Sequence, residues 1–125
     1  MGAKYLIDTN VLIDAQSFKL PKKGLAFLAD VIDEQFLVSF ITYIEFLGYK
    51  NISQYNKDFI EMATVIEINS SIIDVCIELR KKYRIKLPDA IIAATAIHHN
   101  FCIVTNNEND FSMIKNLQCI NPYNL

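Results

Sequence analysis

Four carboxylates stand where an acid needs explaining: Asp8, Glu45, Asp89 and Asp110. Asp8 directly follows the apolar run Tyr5-Leu6-Ile7, and Asp110 closes the polar stretch behind the apolar run Cys102-Ile103-Val104. In a parallel α/β sheet both positions fall outside the carboxyl ends of strands, where helix N-termini and loops converge and ligands bind. At about 100° per residue, Glu45 shares a helical face with Ile41, Ile44 and Gly48, an apolar side on which a lone carboxylate is costly. Asp89 shares its face with Ile92, Ala93 and Ala96, on a segment with hardly any polar side. Each acid also has an ordinary use. Asp8 can cap a helix starting near Asn10, Asp110 can make a turn, Glu45 can sit exposed on a short helix, and Asp89 can complement a helix dipole.

Several carboxylates in partly apolar surroundings repel one another and resist ionisation unless something positive joins them. A divalent cation is the economical answer. The candidate donors are oxygens, with neither clustered thiolates nor spaced histidines, so the expected ion is Mg²⁺ or Mn²⁺ rather than zinc. His98 and His99 are adjacent, point about 100° apart on a helix and are expected to be surface or packing residues. Mg²⁺ held by carboxylates with open water positions suits chemistry at a phosphate, and phosphodiester hydrolysis is the leading expectation.

These acids need a scaffold to bring them together. At 125 residues one domain spanning 1–125 is expected, and 52% hydrophobic against 21% charged residues is too apolar for a disordered chain. The predicted strands lie at 5–7, 36–39, 65–68, 102–104 and 118–120. The predicted helices start near Asn10 and run over 22–34, 42–49 and 55–63, then from a Ser70 cap to the basic stretch at 80–84, then from Leu87-Pro88-Asp89 through Ile97. On the 22–34 helix the buried stripe is expected at Leu25, Leu28, Ala29 and Ile32, and the helix from Leu87 is apolar enough that it must be buried. Short apolar strands alternating with helices indicate a three-layer α/β/α sandwich around a parallel central sheet, a Rossmann-like arrangement. Three cysteines at 76, 102 and 119, with no C-x-x-C pair, argue against a disulfide or thiolate-zinc framework and for a reducing cytoplasm. The apolar run before Asp8 is too short for a signal peptide, and no run is long enough to span a membrane.

The net charge of −2 announces no global basic field, so contact with nucleic acid must use local patches. Two exist: Lys19, Lys22 and Lys23, and then Arg80, Lys81, Lys82, Arg84 and Lys86, together eight of the twelve positive charges. Each taken alone reads more readily as a solvated helix end.

Four segments in this order resemble the PIN-domain nucleases, most closely the small VapC-type toxin ribonucleases of type II toxin–antitoxin systems. They are Leu6-Ile7-Asp8-Thr9-Asn10-Val11-Leu12, Thr42-Tyr43-Ile44-Glu45-Phe46, Leu87-Pro88-Asp89-Ala90-Ile91-Ile92-Ala93-Ala94 and Val104-Thr105-Asn106-Asn107-Glu108-Asn109-Asp110-Phe111. The resemblance spans the chain. It implies a Mg²⁺- or Mn²⁺-dependent endoribonuclease, homodimeric and held inactive by a small antitoxin, with Asp8, Glu45 and Asp89 as the main acids. The aromatic residues Phe40, Phe46 and Tyr49 fit a dimer interface and the core equally well. Many members carry an acid directly after the Thr of the last loop; here Asn106 stands there, and Asp110 is taken as the fourth carboxylate. Thr9 and Asn10 would support the first acid. Thr105 and the carbonyl oxygen of Asn106 or Asn107 would orient water, and the basic residues Lys22, Lys23, Arg80, Lys81, Lys82, Arg84 and Lys86 would hold RNA.

Two rival readings follow from the same residues. A signalling receiver domain also pairs a parallel α/β sheet with an acidic Mg²⁺ pocket, but it calls for adjacent acids after the first strand and a Lys in a late loop. Here Thr9 follows Asp8, and residues 106–111 contain no Lys. A nuclease-dead PIN domain that only binds RNA or a partner is favoured if the missing acid at Asn106 is fatal.

Overall fold

The computed structural model describes residues 2–125. The elements are β1 (Tyr5–Ile7), α1 (Thr9–Gln16), α2 (Lys22–Glu34), β2 (Leu37–Ser39), α3 (Phe40–Leu47), α4 (Gln54–Glu61), β3 (Thr64–Ile66), α5 (Ser70–Lys82), α6 (Leu87–His99), β4 (Cys102–Val104), α7 (Glu108–Phe111) and β5 (Gln118–Ile120), followed by a 3₁₀ turn (Pro122–Asn124). Every ladder among the described residues is parallel. β4 pairs with β1 on one side and β5 on the other, with Ile103 opposite Leu6 and Cys119, and β2 pairs with β3. β2 lies alongside β1 with no ladder between them, so the parallel layer comes in a three-stranded and a two-stranded piece.

Alternation along these three-residue strands sorts the core into two faces. Leu6, Leu37 and Ile103 meet Ile72, Cys76 and Leu79 of α5 and the buried run Ala90–Ala96 of α6. Ile7, Val38 and Val104 point the other way, toward Val11, Leu12, Leu28, Val31, Phe46 and Ile60. With both faces covered, the strands need no polar side, which is why they read as plain apolar runs. α6 is the buried helix its composition demanded. Its one buried hydroxyl, on Thr95, donates to the Ile91 carbonyl oxygen at 2.7 Å, and Asn100 ends the helix in the left-handed conformation at φ 60.

Several boundaries move for local reasons. α3 begins at Phe40 rather than Thr42 because Ser39, the last residue of β2, caps it by accepting from the Ile41 N–H. Asn69 rather than Ser70 caps α5, accepting from the Ile72 N–H at 2.9 Å. The third strand is Thr64–Ile66, ending before Glu67 and Ile68, and the polar stretch after β4 contains the short helix α7. On α2 the buried stripe is Gly24, Leu28 and Val31, whereas Leu25 and Ala29 are exposed.

The stripe rotates because α2 lies against the C-terminal turn at Gly24. A Cβ there would come within 2.0 Å of the Pro122 carbonyl oxygen, and the same turn is tied to α1 by the Tyr123 hydroxyl donating to Asp14. Gly24→Ala gains about 1 kcal/mol of helix propensity but loses more to the overlap with fixed backbone, for a net loss of about 1 kcal/mol. A thermal melt should fall by several degrees. A melt unchanged or raised would mean that the turn gives way freely.

Candidate active site

Asp8 leaves β1 in extended conformation (φ −74, ψ 151) and caps α1. Its own N–H donates to the Val104 carbonyl oxygen, so the position is locked to the end of β4. One carboxylate oxygen accepts from the Thr9 N–H at 2.8 Å, and the other accepts from the Thr105 hydroxyl at 2.8 Å. The Thr105 oxygen in turn accepts from the Asn107 N–H at 2.9 Å, which pins the loop after β4. Asp8 is only 6% exposed and has no ion-pair partner among the described residues. Burial pushes its carboxyl above the usual carboxylate range. The hydrogen bonds from Thr105 and Thr9 pull the other way, and the Glu45 charge raises it further.

Glu45 reaches this centre through Thr9. The Thr9 hydroxyl donates to Glu45 Oε1 at 2.6 Å and is hydrogen-bonded at 3.1 Å to the hydroxyl of Thr42, one turn before Glu45 on α3. The buried face of α3 is Thr42 and Phe46. Ile44, Glu45 and Gly48 are exposed, so Glu45 lies at the rim of the packed face and not on an apolar side as its spacing suggested. With only two turns, α3 is phased by what it packs on rather than by the apolar count.

Asp89 sits half-buried in the first turn of α6, just after Pro88. Its carboxyl is pushed up to about 6, first by burial and then by the charges of Asp8 and Asp110; Lys86 opposes these and Glu45 adds to them. Asp110 is exposed on α7, its carboxylate accepting from Asn107 Nδ2 at 2.7 Å. All four acids therefore act on one place. Thr9, Asn10, Ile44, Glu45, Gly48, Tyr49, Lys50 and Asp89 line an open cavity of about 570 Å³ there.

Residues 5–117 match the sequence profile of the PIN domain family. The chain belongs to that family. Among solved structures, this PIN domain is similar to a toxin–antitoxin complex from Klebsiella pneumoniae, at 32% identity over 95% of this chain and 98% of that one, with a TM-score of 0.75. It is also similar to VapBC-1 from nontypeable Haemophilus influenzae, at 26% identity over 94% and 97% with a TM-score of 0.75. FitAcB from Neisseria gonorrhoeae, at 23% identity over 97% and 99%, shares the fold with a TM-score of 0.77. Comparison with curated proteins gives no match. The family match displaces the receiver alternative.

The donor set of this PIN domain suits a hard divalent ion in chemistry and charge: the donors are carboxylate oxygens, and the charges of Asp8, Asp110 and Glu45 act on Asp89 with Lys86 opposing them. As the side chains stand, no three acids, histidines or cysteines among the described residues converge tightly enough to cage an ion. Mg²⁺ does not require a cage, since it commonly takes one or two carboxylates and keeps several waters. Asp8, Glu45, Asp89 and Asp110 are the residues that would hold it.

The remaining expected residues are distributed unevenly. Thr9, Asn10, Thr105 and Asn107 lie at the carboxylates, whereas Asn106 is exposed and makes no side-chain hydrogen bond among the described residues. Arg80, Lys81 and Lys82 form the exposed last turn of α5, with Lys81 paired to Glu78 at 3.6 Å and the Lys82 ammonium 5.7 Å from the Tyr83 ring centre. Arg84 and Lys86 continue into the start of α6, so this cluster runs along the chain into Asp89. Lys22 and Lys23 open α2, the helix whose Gly24 lies against the C-terminal turn. His98 and His99 are exposed at the far end of α6, the latter stacked on Phe101. The three cysteines are free. No helix among the described residues is long and apolar enough to cross a membrane.

Three residues lie at the site for which the sequence suggested no part in it. Thr42 lies three positions before Glu45, a helical neighbour by spacing alone, and that spacing is a usable signal. Tyr49 and Lys50 follow the helix end. Of the aromatics that fit core and interface equally, Phe46 is core while Tyr49 is 54% exposed on the cavity wall.

Proposed function

We propose that this PIN domain, as one unit over residues 1–125, is a Mg²⁺- or Mn²⁺-dependent endoribonuclease and the toxin of a toxin–antitoxin pair. The observation that carries the reading is Asp89, half-buried in the first turn of α6, its carboxyl pushed up to about 6 by burial first and then by the charges of Asp8, Asp110 and Glu45. With Lys86 the one cation opposing three acids at Asp89, such an arrangement suits a divalent cation and an anionic substrate. The ion, when bound, supplies an activated water and neutralises charge developing on the phosphate. Asp8, Asp89 and Asp110 would hold it directly or through water. Glu45, kept in place by the Thr9 hydroxyl, would help to bind it or orient water. Thr105 fixes the rotamer of Asp8, and the Asn107 side chain fixes that of Asp110.

The toxin reading draws support from the Klebsiella pneumoniae relative, which is a toxin–antitoxin complex. It implies a small antitoxin partner, a homodimer and a cytoplasmic location. A catalytically inactive PIN domain that binds RNA or protein is the second reading, favoured by Asn106 standing where many members carry an acid.

Purified protein should cut RNA internally in Mg²⁺ or Mn²⁺ and stop in excess EDTA. RNA bound but left intact with either ion would select the inactive reading. The basic residues give a further expected outcome, because on an acidic protein the phosphate contacts must be local. RNA affinity should fall as salt rises. Neutralising Arg80, Lys81 and Lys82 together should flatten the plot of log affinity against log salt by about 2, since each phosphate neutralised on a single strand accounts for about 0.7 of the slope. An unchanged slope would make that turn an ordinary solvated helix end.

A further inference from the structure

The carboxylate cavity has an asymmetric wall. Lys50 is the one cation among its lining residues and Tyr49 the one aromatic. Both lie in the short turn between α3 and α4, which is held at each end. Gly48 closes α3 by donating its N–H to the Ile44 carbonyl oxygen at 2.8 Å, and Ser53 caps α4 by accepting from the Asn56 N–H at 3.1 Å. Between them Asn51 takes the left-handed conformation at φ 60 that reverses the chain. The Tyr49 ring is 54% exposed and stacks on no other ring among the described residues, so the core gains little from it.

The same two residues also line a second cavity of about 320 Å³, walled by Ile13, Phe46 and Ile52 and edged by polar groups such as Asn56. Tyr49 and Lys50 therefore form the partition between the acids and an adjoining, largely apolar recess. A polyanion entering a cluster of carboxylates needs a positive charge at its flank, and a strand leaving that cluster across the partition meets an aromatic face and then the recess.

We propose that Tyr49 and Lys50 hold single-stranded RNA beside the carboxylates, the Tyr49 ring stacking on an unpaired base next to the scissile phosphate and Lys50 contacting the neighbouring phosphate. The proposal rests on the ribonuclease reading and specifies its substrate as unpaired RNA, because a base within a duplex has no free face to offer a protein ring. Stacking on an aromatic side chain tolerates every base, so the pair selects unpaired strands rather than a sequence. Tyr49 and Lys50 act in binding, and the acids retain the chemistry.

The test compares cleavage of a linear oligoribonucleotide by wild type, Tyr49→Ala, Tyr49→Leu, Tyr49→Phe and Lys50→Met in Mn²⁺. Tyr49→Ala and Tyr49→Leu should each raise KM roughly 5- to 100-fold, the range for losing one stacked base, with kcat within about twofold of wild type. Tyr49→Phe should restore the wild-type KM. Lys50→Met should reduce the salt dependence of log kcat/KM by about 0.7, the share of one phosphate on a single strand. The same cut site closed into a hairpin stem should be a poor substrate for wild type. A folded Tyr49→Leu with wild-type KM overturns the proposal while leaving the ribonuclease reading intact. So does a variant that keeps its RNA kinetics and loses only its affinity for a co-expressed protein partner, which would make this wall a protein-docking surface. Wild-type protein that neither binds nor cuts RNA overturns the underlying reading instead.

Discussion

Asp89→Asn should lower metal-dependent RNA cleavage by two orders of magnitude or more while leaving the fold intact. Losing one group that stabilises charge at a reacting centre costs on the order of 10²–10³ in rate, and Asp89 is the acid on which the other three converge. The substitution keeps the size and shape of a half-buried side chain in the first turn of α6, so circular dichroism should be unchanged. Asp8→Asn should be comparably severe in activity. Its amide would place hydrogen where the Thr9 N–H or the Thr105 hydroxyl now donates, so some loss of stability should accompany it. Either variant cutting RNA at the wild-type rate, in preparations free of other nucleases, would remove these acids from the chemistry.

The same substitution should stabilise the metal-free protein. A carboxyl whose folded pKa stands above its unfolded value binds its proton more tightly in the fold. It therefore adds stability that is complete below the unfolded value and disappears as pH rises through the folded one. For Asp89 that window runs from 3.8 to about 6. A displacement of this size would correspond to about 3 kcal/mol in a fully buried group; for a half-buried one, screening by solvent reduces it to about 1.5 kcal/mol. At pH 7 and without metal, Asp89→Asn should then melt several degrees above wild type, and the gap should close as pH falls from 6 toward 4.

Added Mn²⁺ should reverse the order. An ion that binds only the folded state contributes about 2.7 kcal/mol at a hundredfold excess over its Kd, and most of this should be missing from the variant. Melts at pH 5 and 7, with and without Mn²⁺, carry the test. Equal shifts in wild type and Asp89→Asn would mean that the acids do not share an ion.

Several features were legible because they follow from local chemistry. The strands announced themselves as apolar runs, since a parallel sheet covered on both faces requires nothing polar within it. The run Ala90–Ala96 is buried because it has no polar side to present to water. Asp8 directly after β1 and Asp89 directly after Pro88 were readable as acids at strand and helix ends, and the order of the four motifs pointed to the PIN family that the profile match establishes.

What the chain could not disclose by itself lies wherever packing outweighs spacing. The periodicity of α2 pointed to a stripe at Leu25, Leu28, Ala29 and Ile32, but the helix lies with Gly24 against Pro122, nearly a hundred residues away along the chain, and buries Gly24, Leu28 and Val31 instead. The phase of α3 followed in the same way from Thr42 and Phe46 facing inward, which left Glu45 at the rim to meet the Thr9 hydroxyl. The raised carboxyl of Asp89 is likewise tertiary, because it depends first on burial and then on the charges of Asp8, Asp110 and Glu45, brought to the start of α6 from three other parts of the chain. Residue order determines which groups can do chemistry and which segments must be buried, since propensity and hydrophobicity act locally. Distance between groups far apart in sequence is decided only when the layers pack, because Coulombic repulsion and hydrogen bonding depend on separations that no local pattern contains.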